Sequence, residues 1–99
     1  MKIPEKVKVN GIVYDIKLVT NREDEIHEVK YYGSVNFDKN LITLYSDRKD
    51  ENIFRTLMHE IIHIINEDLK MGLIEDNIRR LATGLYQSLK ENNLLKEGD

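Results

Sequence analysis

The sequence predicts a single α+β domain in which four β-strands precede two α-helices. Apolar residues alternate with polar ones in the first half of the chain, as in half-buried strands, and from Ser46 onward they recur every three or four residues, as in helices. The length of 99 residues suits one domain with a modest core. We therefore expect residues 1–99 to form one domain, with antiparallel hairpins packed on the helices.

Two β-hairpins are predicted in the N-terminal half. The first turns at Asn10-Gly11, a dipeptide that tolerates positive φ at both central positions of a tight turn. In the second, the strands YYGSVNF and LITLY lie on either side of the polar turn Asp38–Asn40. Both hairpins have one apolar face that can pack on a helix.

Two helices are predicted in the C-terminal half. Ser46 or Asp47 is the expected N-cap of the first helix, and Gly72 is the expected C′ residue that terminates it. The second helix is predicted over roughly Ile74–Asn92, because its leucines, isoleucine and alanine recur at helical spacing. These two helices complete the predicted fold.

Composition narrows the class of protein. The net charge is −3 with no basic cluster, which argues against a nucleic-acid partner. The chain has no cysteine, so disulfides and thiolate metal sites are excluded and a reducing compartment fits. No apolar run approaches the roughly 18 residues of a membrane span, and no segment near the N-terminus resembles a signal peptide. We expect a cytoplasmic protein with no membrane partner.

The segment LMHEIIHII places three polar residues in a run that is otherwise apolar. Burial of such groups without partners costs about 2–7 kcal/mol each, so a ligand is expected if they are buried. His59 and His63 are four residues apart and therefore lie on one face of a helix, as two Zn²⁺ ligands require. Glu60 lies beside them, where a carboxylate can act as general base. His-Glu-x-x-His on a helix is the signature of zinc metallopeptidases.

A third protein ligand is expected, since catalytic zinc has three protein ligands and an open water position. Glu75 is the favoured candidate, because it lies on the stripe of the second helix that should face the first helix. Its position near a helix N-terminus also keeps a carboxylate ionised. Asp76 is rotated about the second helix away from this stripe. Glu67 and Asp68 lie on the same helix as the histidines, and three ligands along one helix cannot easily form a tetrahedron. Glu67 and Asp76 stay open as alternatives.

An oxyanion donor would complete a hydrolytic site. Tyr86 is the predicted donor, because it shares the helical stripe of Glu75, and Tyr31 or Tyr32 could reach over from the second hairpin. His27 lies in an acidic segment and is interpreted as a solvent-exposed residue.

The motif HEIIH, followed after eleven residues by EDNIRRLATGLYQSL, resembles the minigluzincins, which are very small zinc metallopeptidases, and small phage proteins of the same layout. The resemblance implies a zincin-like domain with an active-site helix and a C-terminal glutamate helix. It also implies that His59, His63 and Glu75 hold zinc and that Glu60 is the general base and acid. The hairpin within residues 31–45 would supply the edge strand to which a substrate peptide adds.

One position departs from this family pattern. Larger gluzincins have an acidic residue one turn after the glutamate ligand, where it orients a ligand histidine, but this chain has Arg79. Support for that histidine must come from elsewhere, and Asn66 or a backbone carbonyl is the candidate. Arg79 and Arg80 are expected to form ion pairs.

Three functions follow from these patterns. The first is a zinc endopeptidase that hydrolyses a small or unfolded protein, with a metal-activated water and Glu60 as general base. The second is a zinc-stabilised, non-proteolytic module that binds a protein partner at the hairpin edge. The third is a structural protein without metal. The sequence does not determine the oligomeric state or the substrate.

Overall fold

The computed structural model of the chain describes residues 3–20 and 32–95. Within these ranges, four strands and two helices follow one another in the predicted order. The strands are β1 (Lys6–Val9), β2 (Ile12–Val19), β3 (Gly33–Asn36) and β4 (Leu41–Tyr45), and the helices are α1 (Asp50–Leu69) and α2 (Glu75–Glu91). The α+β class is confirmed, whereas the predictions for His27 and Tyr31 lie outside the described residues.

Both predicted hairpins are present. In the first, Asn10 and Gly11 form a two-residue turn with φ values of 51° and 85°. The second turn is longer, because Asn36 pairs with Leu41 and leaves four residues between the strands. Phe37 therefore belongs to this turn and not to the strand in which the sequence placed it.

The two hairpins join into one mixed sheet with the order β1-β2-β4-β3. The strands within each hairpin are antiparallel, but β2 and β4 pair in parallel, from Asp15 opposite Leu41 to Val19 opposite Tyr45. Local sequence does not encode this central pairing. Its consequence is that β3 forms one edge of the sheet.

Helix α1 lies between the sheet and α2. Its contacts with β1, β3 and β4 form the main core, and its other side contacts α2, which touches no strand in the described part of the chain. The buried residues of the main core are Val9, Tyr14, Ile42, Leu44, Ile53, Leu57 and Ile64. A second cluster joins Ile62 of α1 to Ile78 and Ala82 of α2. Burial on two sides explains why the middle of α1 is almost wholly apolar.

The ends of α1 differ from those predicted. Ser46 and Asp47 are not the N-cap, which is Lys49. The reason is that the Ser46 N–H donates to the carbonyl of Val19 and so still belongs to the sheet. At the other end the helix stops at Leu69 with Lys70 as its C-cap. Gly72 has the positive φ typical of a helix terminator, 74°, but it lies two residues beyond Lys70, which itself has a φ of 50°.

Helix α2 matches its prediction to within one residue, with Ile74 as N-cap and Asn92 as C-cap. In the ranges that the structure describes, neither helix has the length and apolar character needed to cross a lipid bilayer.

The edge strand β3 packs against α1 through a glycine. A Cβ at Gly33 would lie 2.8 Å from the Thr56 methyl group and 3.1 Å from the carbonyl oxygen of Thr43. We expect Gly33→Ala to lower the free energy of unfolding by about 1–3 kcal/mol, because the backbone carbonyl cannot move aside without loss of strand pairing. Urea denaturation measures the change.

A second glycine provides a matched control for this prediction. Gly84 lies in α2, and a Cβ there would meet no atom within 4 Å. Gly84→Ala should raise stability by about 0.5–1 kcal/mol, since alanine is the better helix former. Equal effects of the two substitutions would contradict the close packing of β3 on α1.

Candidate metal centre

Two histidines lie one turn apart on the same face of α1. The Nε2 atoms of His59 and His63 are 3.1 Å apart, and the ring centroids are separated by 4.9 Å. Both imidazoles therefore point to one place. Because burial outweighs the attraction of Glu75, the pKa of His59 is lowered, which favours the neutral ring that a metal ligand requires.

The carboxylate of Glu75 reaches the same place from the first residue of α2. One of its oxygens lies 2.6 Å from Nε2 of His59, and the other lies 2.8 Å from Nε2 of His63. The side chain of Glu75 is 56% exposed, so the group opens towards solvent on one side. Sequence reasoning favoured this glutamate, and the structure brings it to the histidines.

The other carboxylates considered for this position lie elsewhere. Asp76 pairs with Arg79 and with Arg80, as expected for the two arginines, and Asp68 accepts a hydrogen bond from Asn10. Glu67 is exposed and does not join the histidines. In residues 3–20 and 32–95, the only group of three or more possible metal ligands that converges is His59, His63 and Glu75.

This donor set fits a zinc ion. Two imidazole nitrogens and a carboxylate oxygen are ligands that Zn²⁺ takes in catalytic sites. Donors at zinc distances of about 2.0–2.1 Å in a tetrahedron are separated by about 3.3 Å. The three observed separations, 2.6, 2.8 and 3.1 Å, are somewhat shorter, so small outward movements of the side chains would admit the ion.

The α1–α2 loop is fixed by one asparagine. The side chain of Asn66 accepts a hydrogen bond from the Leu73 N–H at 2.9 Å and donates one to the Leu73 carbonyl at 3.3 Å. The sequence named Asn66 as a candidate support for a ligand histidine, but both polar atoms of its amide are hydrogen-bonded to the backbone of Leu73. Because Leu73 lies two residues before Glu75, Asn66 positions the start of α2.

We expect Asn66→Ala to weaken zinc binding although Asn66 touches no proposed ligand. Two hydrogen bonds to the loop are lost, so Glu75 is held less firmly, and an affinity loss of about 10–100-fold is typical of outer supporting groups. Titration with zinc measures the change. Asn36→Ala is the control, since it removes a hydrogen bond to the Lys39 N–H in the second hairpin and should leave zinc affinity unchanged. Equal affinity in the two variants would contradict this role of Asn66.

Glu60 is the one charged residue in the described ranges that is buried, with 7% of its surface exposed. Burial, and secondarily the negative charge of Glu75, raises the pKa of Glu60 to about 7. Its side chain lines the same cleft as the histidines. A carboxyl group with a pKa near neutrality, beside a possible metal, is suited to accept and return a proton.

A cleft of about 400 Å³ borders this centre. It is lined by residues of the second hairpin, of α1 and of α2: Tyr32, Gly33, Arg48, Asn52, Arg55, Thr56, His59, Glu60, Glu75, Arg79, Ala82 and Thr83. The cleft therefore lies between the edge strand and the two helices.

The predicted oxyanion donor lies elsewhere. Tyr86 is 1% exposed, does not line the cleft and packs at 5.9 Å from the ring of Phe54. Its hydroxyl is buried without a hydrogen-bond partner among the described residues. The helical stripe that it shares with Glu75 continues into the helix interface, so this placement gives no support to a catalytic role. Tyr32 does line the cleft, and the guanidinium of Arg48 lies 3.8 Å from its ring centroid.

Sequence reasoning missed four other polar residues that line the cleft. They lie one to two turns before His59 or just ahead of α1: Arg48, Asn52, Arg55 and Thr56. A signal was available, because Asn52, Thr56 and His59 follow one another at helical spacing and form a polar stripe beside the apolar residues of α1.

Comparisons with known proteins identify no relative, since no family, no curated protein and no solved structure matches this chain.

Proposed function

We propose that the chain is a zinc-dependent metallopeptidase of the minimal zincin type, similar to the minigluzincins. The observation that carries the proposal is the convergence of His59, His63 and Glu75, from two helices, beside the buried carboxylate of Glu60. Two imidazoles and a carboxylate form a donor set of zinc hydrolases, and the adjacent carboxylate supplies the proton acceptor that hydrolysis needs.

Zinc, when bound, polarises the scissile carbonyl and lowers the pKa of a water molecule towards about 7. Residues of the chain supply the metal ligands and the proton acceptor. His59, His63 and Glu75 hold the ion, and Glu60 accepts the proton of the attacking water and returns it to the leaving amine. Its burial at 7% exposure keeps the carboxylate poorly hydrated, which favours proton transfer within the cleft.

The edge strand β3 is suited to present an extended substrate. It lies at the border of the sheet, and Gly33 at its start lines the cleft. A peptide that adds to this edge by backbone hydrogen bonds would run past the metal centre. A small or unfolded protein is the expected substrate, because an extended segment is what such an edge binds.

The placement of Tyr86 favours a second function, a zinc-stabilised interaction module without proteolysis. Tyr86 lies in the helix interface and does not reach the cleft, so α2 contributes no tyrosine to stabilise an oxyanion. In this alternative the metal joins α2 to α1, and β3 binds a partner strand.

Metal content and peptide cleavage distinguish these functions. Purified protein should contain one zinc per chain by elemental analysis, and anomalous scattering at the zinc edge should locate it between His59, His63 and Glu75. An unfolded protein substrate, analysed by mass spectrometry, should be cleaved with zinc, spared with a chelator and cleaved again when zinc is restored. Zinc binding without cleavage would support the interaction module, and absence of zinc would overturn both.

A further inference from the structure

Arg55 places a positive charge in the cleft, one helical turn from the candidate metal centre. Arg55 is half-buried in α1 and lines the cleft. Its guanidinium donates to the side chain of Asn52 at 3.1 Å and lies 5.1 Å from the ring centroid of Tyr86. Among the described residues no carboxylate lies within ion-pair distance of Arg55, and its buried Nε has no hydrogen-bond partner.

This arrangement leaves hydrogen-bonding capacity of Arg55 unused. A half-buried guanidinium has lost part of its hydration, and charges removed from water are normally paired with an opposite charge. Asn52 is neutral and accepts only one of the five N–H donors that arginine offers. The remaining donors of Arg55 suit the planar, two-oxygen geometry of a carboxylate.

Two further arginines line the cleft, and both have partners. Arg48 donates to the Thr56 hydroxyl at 2.9 Å. Arg79 is paired with Asp76. Arg55, for which the described residues provide no carboxylate partner, is therefore the anion-attracting position of the cleft.

The distance along α1 between Arg55 and His59 relates Arg55 to a reacting peptide. Arg55 precedes His59 by four residues, which is a rise of about 6 Å along α1. One extended residue spans about 3.3–3.6 Å. A carboxylate held by Arg55 would thus lie one or two residues from a peptide bond at the metal centre.

We propose that Arg55 binds a carboxylate of the substrate one or two residues from the scissile bond. The inference rests on the proposed peptidase function, because the bound molecule is a substrate only if the chain cleaves peptides. Binding of a carboxylate at Arg55 requires no hydrolysis. The carboxylate can be the C-terminus of a peptide or the side chain of Asp or Glu.

Binding to a hydrolysis-deficient protein tests the site. The zinc-loaded Glu60→Gln protein is titrated with three fluorescent peptides of one sequence: a free C-terminus, a C-terminal amide, and the amide with glutamate near its end. Fluorescence anisotropy should show about tenfold or tighter binding of at least one carboxylate peptide over the plain amide, as expected for charge-assisted hydrogen bonds. The preferred peptide identifies the C-terminal or the side-chain source.

Arginine variants then test whether Arg55 causes the preference for carboxylate peptides. Adding Arg55→Gln should reduce the preference to less than about twofold, whereas Arg55→Lys should retain part of it, because lysine keeps the charge but not the fork. Arg80→Gln is the matched control, since Arg80 is exposed and outside the cleft, and it should leave the preference unchanged. Thermal melting verifies that each variant is folded.

Two results would overturn the proposal. One is no preference for a carboxylate in the parent protein. The other is a preference that survives both Arg55 substitutions but disappears with a chelator, because the metal would then be the carboxylate's partner. If peptides are bound with an Arg55-dependent preference but the unsubstituted protein cleaves none, the carboxylate site stands and the peptidase proposal fails.

Discussion

Glu60→Gln is expected to lower the rate of peptide hydrolysis by about 10²–10⁴-fold while zinc stays bound, because the amide cannot accept the proton of the attacking water. Glutamine has nearly the shape of glutamate, and it removes a charge from a site that is 7% exposed, so the fold should be retained. Cleavage of an unfolded protein, followed with zinc content and thermal melting on the same preparations, measures all three quantities.

The control for this prediction is another glutamate of the same helix. Glu67 is exposed and does not line the cleft, so Glu67→Gln should leave hydrolysis and zinc content unchanged. If Glu60→Gln cleaves as fast as the unsubstituted protein, Glu60 is not the general base. If it loses zinc as well as activity, the substitution has damaged the metal centre and the role of Glu60 must be tested with Glu60→Asp, which retains a carboxylate in a displaced position.

Glu75→Ala is expected to cause the largest loss of zinc affinity, more than the roughly 100-fold that loss of an outer supporting group can cost. Of the carboxylates in the described part of the chain, Glu75 alone contacts both histidines, at 2.6 and 2.8 Å. Zinc at 100 times its dissociation constant stabilises a protein by about 2.7 kcal/mol, and the variant should lose most of this effect. Thermal melting with and without added zinc measures it.

The neighbouring acid provides the comparison. Asp76→Ala removes a carboxylate from the same first turn of α2, but Asp76 pairs with Arg79 and Arg80 and not with the histidines. Zinc-dependent stabilisation should therefore persist in Asp76→Ala. A selective loss in Glu67→Ala would instead move the third ligand to α1 and contradict the assignment of Glu75.

The elements of the fold were predictable because their signals are local. Asn10-Gly11 satisfies the positive φ of a tight hairpin turn within two residues, and helical spacing of apolar residues requires only one or two turns of chain. The parallel pairing of β2 with β4 was not predictable, because it joins residues such as Asp15 and Leu41 that are distant in sequence. The predicted N-cap of α1 was wrong for the same reason, because the Ser46 N–H donates to the carbonyl of Val19 in β2.

In the candidate site, too, the features set by local sequence were predictable and those set by packing were not. The spacing of His59 and His63 on one helix predicts the proximity of their rings, and the helical stripe of Glu75 predicts that it faces α1. The same stripe was misleading for Tyr86, because three turns further along α2 it enters the buried helix interface. The role of Arg55 was not predictable, because a charged residue on a helix is ordinarily exposed and only the packed structure shows that no carboxylate of residues 3–20 and 32–95 pairs with it.

The sequence by itself determined the strands, the helices and the pair of imidazoles, because each depends on residues within a few positions of one another and on fixed helix and strand periods. The tertiary structure decided which carboxylate meets the histidines, which tyrosine borders the cleft, and which guanidinium lines the cleft with no carboxylate partner among the described residues. Those outcomes depend on how α2 docks on α1 and how β3 borders α1, and such docking is set by packing between segments that are far apart in the chain.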